Sequence, residues 1–319
     1  MKTKSPLKDL TLIQIIQRFD TDEKARKHLE SVLWPNGVVC PHCKCNDQAK
    51  IAERAANPAK KIRAGLRFCS ACSRQFTVTV GTIFEDSHIP LGKWLVAWYL
   101  ICSSKKGISS LQLQRILELG SYRSALFMAH RIRHALKNET YAEKLSGTVE
   151  ADECYVGGSP VPNDKRPATG YRKNSNKIPV MAMVERGGRV RSKVMPTVNG
   201  ANLKQAIREN VRQFSELHTD AHKGYTGLKW EYFHNTVKHC ANEFSRHEGE
   251  NVVTTASVES FFSLLKRGVV GTFHHVSAQH LPLYLAEFDH RHNYRKATDG
   301  ERTDAGLQMV VGKRLVYKR

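Results

Sequence analysis

The sequence predicts an α/β core that follows a zinc ribbon and a helical region. Three observations lead to this prediction: two CxxC pairs within residues 38–86, helical periodicity over residues 90–137, and strand-like alternation from residue 148 onward. With 319 residues, of which 40% are hydrophobic, the chain is long enough for two or three domains. The predicted domains are a helical segment (1–37), the zinc ribbon (38–86), a helix-turn-helix region (87–140), the α/β core (145–295) and a basic tail (296–319).

Individual elements follow from the same periodicities. Helices are predicted at residues 6–33, 109–118, 122–137, 201–214, 257–267 and 278–292. Strands are predicted at residues 74–80, 148–152, 178–185, 190–198, 217–220 and 230–238. The segment 186–189, Arg-Gly-Gly-Arg, predicts a hairpin, and the basic segment 157–176 predicts a loop.

The chain is strongly basic, and its charge is spread along its whole length. Fifty Lys and Arg against thirty Asp and Glu give a formal charge of +20 and a pI near 9.7. Such a field favours nucleic acid as the partner over the alternatives of anionic lipid or simple solubility. No stretch approaches the roughly 18 apolar residues of a membrane span, and the first residues lack a signal-peptide pattern. We therefore expect a soluble cytoplasmic protein with no membrane partner.

The two CxxC pairs predict one structural Zn²⁺. They are separated by 25 residues, and each pair can present two thiolates to a tetrahedral ion. His42 and Cys45 lie close enough in sequence to replace one of the ligands, which leaves an alternative open. Cys102, Cys154 and Cys240 are interpreted as small core residues. The four predicted ligands are Cys40, Cys43, Cys69 and Cys72.

Residues 109–137 predict a helix-turn-helix, with a turn at residues 119–121. The second helix places an apolar stripe, including Met128 and Ile132, on one face. Its basic residues fall off that stripe, as a recognition helix requires. An ordinary antiparallel helix pair with a solvated basic side is the alternative. The predicted DNA contacts of this helix are Arg123, Arg131 and Arg133.

Three carboxylates lie at the edges of three different predicted elements. Asp152 ends a strand-like run, Asp220 follows another, and Glu259 begins a helix. Three acids on separate elements of a basic protein suit the binding of two divalent cations against a nucleic-acid phosphate. Lys266 lies seven residues after Glu259 on the same helix face, about 10.5 Å further along. A surface Glu and Lys on an amphipathic helix is the alternative interpretation.

Segments 149–158, 219–225 and 257–268 resemble the DDE transposases of bacterial insertion sequences. The resemblance is closest to the ISXO-like subgroup, which carries an N-terminal zinc ribbon, and residues 287–295 resemble its C-terminal motif. It runs from about residue 20 to the end of the chain, with small departures at Ala151 and Cys154.

The resemblance implies a ribonuclease-H-like core, a mixed five-stranded sheet flanked by helices. It implies that Asp152, Asp220 and Glu259 are catalytic and hold two Mg²⁺ or Mn²⁺ ions, and that Lys266 positions DNA. Glu150 and Glu153 are rival first acids, of which Glu150 shares a strand face with Asp152. His274 and His275 could contact DNA, although loop histidines are commonly only surface residues. Basic residues of the motifs are further predicted DNA contacts: Lys266, Arg267, Arg291 and Arg295.

The expected activity is metal-dependent DNA strand cleavage and strand transfer at the ends of an insertion sequence. The expected partners are double-stranded DNA, both terminal repeats and target, and further copies of the chain in a synaptic complex. A nucleoid-associated location would follow. Two alternatives remain: a DNA-binding regulator with an inactive core, and a ribonuclease-H-like nuclease that cuts without joining.

Overall fold

The computed structural model describes residues 7, 10–137, 143–157, 177–238, 241, 243–249 and 251–316. Within them the helices are α1 (Leu12–Arg18), α2 (Asp22–Leu33), α3 (Leu91–Ser103), α4 (Ser110–Ile116), α5 (Tyr122–Leu136), α6 (Gly200–Asn210), α7 (Ala256–Gly268), α8 (Leu281–Asn293) and α9 (Asp299–Leu307). The strands are β1 (Ile51–Glu53), β2 (Arg67–Cys69), β3 (Arg74–Phe76), β4 (Thr148–Val156), β5 (Ile178–Glu185), β6 (Val190–Val194), β7 (Glu216–Asp220), β8 (Phe233–Val237), β9 (Ser245–Glu248) and β10 (Asn251–Thr254). Most of the predicted loop 157–176, and Cys240, lie outside these residues.

The chain forms two compact units. The first contains Met1–Ser104, Ile108–Asn138 and Tyr294–Arg319, and the second contains Lys105–Gly107 and Glu139–Asn293. The segment predicted as a basic tail therefore contributes to the first unit. Its helix α9 buries Leu307 in the core of that unit, and Asp304 pairs with His28 at 3.0 Å.

The first unit is built around α3, which is apolar on nearly all sides. Trp94 and Trp98 are buried there, and Phe84 packs edge-on against Trp94 with ring centroids 5.5 Å apart. The predicted helix 6–33 is divided in two, because Thr21 caps α2 by accepting a bond from the Lys24 amide.

Two of the three residues of α5 that were predicted to contact DNA are buried, so these two predictions are wrong. The C-terminal half of α5 is buried on almost every side, so Arg131 and Arg133 lie inside the first unit. The Arg131 guanidinium donates to the Glu85 carbonyl at 2.8 Å and stacks over the Trp94 ring at 5.7 Å. A guanidinium held in this way is not presented to a DNA phosphate. Arg123, in the first turn of α5, is exposed.

A small antiparallel sheet follows α2, with strand order β1-β2-β3. The strand predicted over residues 74–80 ends at Phe76. The chain then turns, because the threonine hydroxyls bond locally: Thr77 pairs with Thr79 at 2.9 Å, and Thr82 donates to the Thr79 carbonyl at 2.6 Å.

The second unit contains a mixed five-stranded sheet with strand order β6-β5-β4-β7-β8. Strands β4, β7 and β8 are parallel to one another, while β5 is antiparallel to both β4 and β6. The predicted hairpin between β5 and β6 is present, and Gly187 takes the left-handed conformation, φ +72°, that its turn requires. The mixed sheet agrees with the one that the sequence motifs imply.

Helices cover both faces of this sheet. Val149 and Ala151 of β4 pack with α6, whereas Val156 of the same strand packs with α7 and α8. Because side chains alternate along a strand, Glu150 and Asp152 belong to the face covered by α7. The hairpin β9–β10 just before α7 was not predicted, since the residues of β9, Ser-Arg-His-Glu, contain no apolar side chain.

The buried carboxyl of Asp289 on α8 gives the second unit a testable pH dependence. Asp289 accepts bonds from the Ser192 amide at 3.0 Å and the Ser192 hydroxyl at 2.7 Å. Burial raises the pKa of Asp289 from 3.8 to about 7, against the opposing effect of these two bonds.

Between pH 4 and 7 the native state therefore keeps a proton that the unfolded chain loses. The stability due to this group is present below about pH 4 and decreases as pH rises to 7, by roughly 1.4 kcal/mol per pH unit. Asp289→Asn, which is neutral at every pH, should weaken the pH dependence of the unfolding free energy by about this slope. Urea unfolding of both proteins between about pH 4.5 and 7 measures it, and identical slopes would contradict the expectation.

Candidate functional site

Four cysteine side chains converge beside the small antiparallel sheet. The Sγ atoms of Cys40 and Cys72 are 3.7 Å apart, as are those of Cys43 and Cys69, and all four lie within 4.8 Å of one another. This donor set and spacing fit one tetrahedral zinc. Cys45 is outside the cluster and contributes its carbonyl to the Cys40 amide at 2.9 Å. The ring of His42 is directed to the Gln75 carbonyl at 3.4 Å.

The other cysteines in the described ranges fit the core interpretation. Cys102 and Cys154 are both buried, the first in the first unit and the second on β4.

The three predicted acids lie on three elements of the second unit. Asp152 is on β4, the central strand, Asp220 is the last residue of β7, and Glu259 is in the first turn of α7. The parallel register pairs Glu150 with His218. Two residues further along both strands, Asp152 and Asp220 are neighbours on the face that α7 covers.

The charges of three neighbouring acids act on Asp152. Burial raises the pKa of Asp152 to about 7, and the Glu153 amide opposes the shift by donating to the Asp152 carboxylate at 2.8 Å. The negative charges of Glu153, Asp220 and Glu259 raise the pKa further. A half-buried carboxyl close to three other negative charges is stabilised by either a proton or a cation. This donor set of oxygen atoms fits hard divalent ions such as Mg²⁺ or Mn²⁺.

The carboxylates are spread more widely than the thiolates. In the described ranges, the cysteine cluster alone gathers three or more potential ligand atoms within 4.8 Å of one another. Two metal ions about 3.5–4 Å apart need ligands on both sides of the pair, so a wider spacing is compatible with a two-ion site.

Local hydrogen bonds orient two of the acids. The Asp220 carboxylate accepts the His222 amide at 3.0 Å, and the Glu259 carboxylate accepts the Thr255 hydroxyl at 2.8 Å. Thr255 is buried at the start of α7, whereas Glu259 is exposed. The Thr255 hydroxyl therefore holds the exposed Glu259 carboxylate against the N-terminal end of α7.

The Glu153 side chain lies on the opposite face of β4 from Asp152 and is bound there by other residues. Its carboxylate accepts the phenol O–H of the buried Tyr225, which packs with α6, and His222 lies 3.9 Å away. Burial raises the pKa of Glu153. This location favours Asp152 over Glu153 as the first acid.

Glu150, the other rival, is fully buried and already bound. Arg186 pairs with it at 3.0 Å, and the amides of Ser257 and Val258 donate to it at 2.6 and 3.2 Å. Sequence reasoning placed Glu150 on the correct face but missed this network. Two sequence features could have indicated the network: Glu150 shares a strand face with Asp152, and Arg186 lies in the turn between β5 and β6.

Lys266 is exposed on α7 near the site. Burial raises the pKa of the Cys154 thiol on β4 to about 12, and the nearby Lys266 ammonium opposes that shift. The Lys266 ammonium is therefore close enough to act electrostatically on β4, the strand that carries Asp152. Arg267 and Arg295 are also exposed.

The prediction that Arg291 contacts DNA is wrong, as it is for Arg131 and Arg133. It is buried on α8, forms an ion pair with Glu287, and its guanidinium stacks over the Phe288 ring at 4.4 Å. Both contacts lie within its own helix, where a DNA phosphate has no access to the charge.

Two family models match segments of this chain. Residues 144–293 match the family model described as ISXO2-like transposase domain, and residues 20–75 match the model described as transposase zinc-ribbon domain. An uncharacterized protein in transposable element ISH50 of Halobacterium salinarum is 26% identical over 290 residues, which cover 86% of this chain and 92% of the relative. No solved structure matches the chain.

The matched domains and the transposable-element relative support a transposase with a zinc ribbon, a class that implies DNA binding. The resemblance predicted from the motifs is confirmed: the chain contains a domain similar to ISXO2-like transposases and a domain similar to transposase zinc ribbons. The ribbon match and the four-cysteine cluster together support a structural zinc. In the described part of the chain, the helices fall short of the length and apolar character that a bilayer crossing requires.

Proposed function

We propose that this transposase catalyses divalent-metal-dependent DNA strand cleavage and strand transfer at the ends of its own element. The observation that carries the proposal is the placement of Asp152 on β4, Asp220 at the end of β7 and Glu259 in the first turn of α7. Burial raises the pKa of Asp152 to about 7, and the negative charges of Asp220 and Glu259 add to that shift. Asp152, Asp220 and Glu259 would hold two Mg²⁺ or Mn²⁺ ions. Bound there, the ions would supply Lewis-acid activation of the attacking and leaving oxygens of a phosphodiester.

The protein's own residues have distinct roles in this proposal. Asp152 and Asp220, on adjacent parallel strands, form a rigid pair, while Glu259 closes the site from the start of α7. Lys266 and Arg267, exposed two turns further along α7, would contact the DNA backbone and orient the scissile phosphate. Strand-borne ligands limit movement of the reacting groups.

The five-stranded mixed sheet with helices on both faces supports a ribonuclease-H-like core. The pair α4–α5, separated by a short turn, supports a helix-turn-helix. Of the three DNA contacts predicted on α5, Arg123 at the exposed start of the helix is the one available to DNA. Joining two element ends requires two active sites, so we propose that the chain works as a homo-oligomer in a synaptic complex, associated with the nucleoid.

The proposal is tested with purified protein and DNA carrying the inverted repeats that flank the gene. Incubation with Mg²⁺ or Mn²⁺ is expected to yield nicks at the repeat ends, and joined products when target DNA is added. Shuffled repeats provide the control substrate. Binding without any nicking would indicate a regulator with an inactive core, and nicking without joined products would indicate a nuclease.

Exposed and buried basic residues should behave differently in DNA binding. Lys266→Ala and Arg267→Ala each remove one phosphate contact, so each should lower DNA affinity and reduce the slope of log K against log salt by about 0.9. Arg291→Ala should instead lower the thermal midpoint, since Glu287 would lose its buried partner, at a cost of about 3–5 kcal/mol.

Fluorescence anisotropy at several salt concentrations measures the slopes, and calorimetry measures the midpoints. A reduced salt slope for Arg291→Ala in folded protein would contradict its assignment as a core residue. A wild-type slope for both α7 variants would remove α7 from the DNA-binding surface.

A further inference from the structure

The start of α7 is held by a residue of another element. Thr255, at the N-cap position, makes no side-chain capping bond to the helix backbone, because its hydroxyl donates to Glu259. The Glu150 carboxylate on β4 takes this place: it accepts the Ser257 amide at 2.6 Å, the Val258 amide at 3.2 Å and the Ser257 hydroxyl at 2.9 Å. These amides belong to the first turn, where a helix has no internal acceptors for its N–H groups.

A network behind Glu150 joins the elements that carry the acids. Arg186 donates to Glu150 Oε1 through Nε at 3.1 Å and Nη2 at 3.0 Å, and to the Val252 carbonyl of β10 at 2.8 Å. The Nη2 atom also lies 3.2 Å from His218 Nδ1, and the other ring nitrogen of His218 is 3.0 Å from Glu216 Oε1. Strand β4, strand β7, the hairpin turn and the start of α7 are thus linked by one set of polar contacts.

Glu150 has no remaining capacity to bind a cation. Five donors reach its carboxylate: two from Arg186, the Ser257 amide and hydroxyl, and the Val258 amide. A carboxylate offers about four lone-pair sites. Its side chain is fully buried, so loss of either its charge or its partners leaves unpaired polar groups in the interior.

We propose that Glu150 is a positioning residue that fixes the start of α7 against β4 and thereby sets the location of Glu259 relative to Asp152. The inference rests on the proposed metal-dependent function. Glu259 directly follows Val258, whose amide Glu150 holds, so a small shift of this turn displaces the Glu259 carboxylate. Groups that orient metal ligands typically change metal affinity by about 10–100-fold when replaced.

The test is Mn²⁺ binding to the full-length, zinc-loaded protein, measured from the free Mn²⁺ signal in electron paramagnetic resonance. Glu150→Gln is nearly isosteric and should raise the half-saturating Mn²⁺ concentration about tenfold or more. Ser257→Ala, which removes one of the three α7 bonds, should act in the same direction with a smaller effect. The matched control is Glu185→Gln, which removes the same charge from the neighbouring strand β5, where Glu185 contacts Ser146 and Arg189.

Zinc content and thermal unfolding confirm that each variant is folded, and DNA affinity should stay within about twofold of wild type. Wild-type Mn²⁺ affinity in folded Glu150→Gln protein overturns the inference; if that variant does not fold, the affinity of Ser257→Ala decides. Failure of the proposed function itself gives a different result, because Asp152→Asn would then bind Mn²⁺ as the wild type does.

Discussion

Replacing Asp152 by asparagine is expected to reduce metal-dependent cleavage of element ends by at least about a thousandfold. The substitution keeps the shape of the side chain but removes the charge from the centre of the carboxylate cluster. A carboxylate that holds a catalytic cation accounts for about 4 kcal/mol or more of transition-state stabilisation, which corresponds to this factor. DNA affinity should be unchanged, since phosphate contacts come from basic residues elsewhere. Gel assays of nicking and anisotropy measurements of binding determine the two quantities separately.

Unfolding would not explain that loss of cleavage. Because burial and neighbouring charges make ionised Asp152 unfavourable, a neutral isostere should leave the thermal midpoint at pH 8 equal to or higher than that of the wild type. Glu209→Gln is the matched control, since Glu209 is a surface acid on α6 paired with Lys193 at 3.0 Å. Cleavage by Asp152→Asn at the rate of this control would refute the assignment of the first acid.

Loss of one ribbon thiolate should have the second largest effect. Cys69→Ser is expected to reduce the zinc content from one ion per chain to nearly none and to unfold the ribbon, because Cys69 is buried in the four-cysteine cluster. Zinc binding supplies about 10–16 kcal/mol of folding free energy in comparable small modules. The variant should also lose affinity for element ends if the ribbon contributes to DNA binding. Elemental analysis measures the zinc, and limited proteolysis monitors the ribbon.

Cys45→Ser is the matched control for this experiment. Cys45 lies five residues after Cys40 but outside the cluster, and its contribution is a backbone carbonyl that substitution preserves. It should retain full zinc content. Loss of zinc on Cys45→Ser would show that Cys45 is a ligand, the alternative that the spacing left open.

Local patterns in the sequence predicted most of what positions the site. The β5–β6 hairpin follows from its Gly-Gly turn, and α7 from its apolar stripe. The family motifs then identified which acids to expect on these elements. The parallel pairing of β4 with β7, which makes Asp152 and Asp220 neighbours, depends on a long connection that no local pattern encodes.

The errors concern side chains whose burial is decided by distant residues. Arginine is usually exposed, yet Arg131 is buried against Trp94, and Arg291 against Phe288 and Glu287. Helix α9 was missed because it has a single buried apolar side chain of any size, Leu307, and its other large buried residues, Arg302, Thr303 and Asp304, are polar. Arg302, for example, donates to the Cys102 carbonyl at 3.1 Å, a partner 200 positions away in the chain. Composition and periodicity contain no information about such pairings.

The central claim is that Asp152, Asp220 and Glu259 bind divalent cations together. Crystals of the full-length protein soaked in Mn²⁺, with diffraction recorded near the manganese absorption edge, test it most directly. The expected anomalous difference map has two Mn²⁺ peaks among these three carboxylates, separate from the zinc of the cysteine cluster, and Asp152→Asn crystals lack at least one of them. Well-ordered crystals in which Mn²⁺ binds elsewhere, or in which these carboxylates have no Mn²⁺, would contradict the claim.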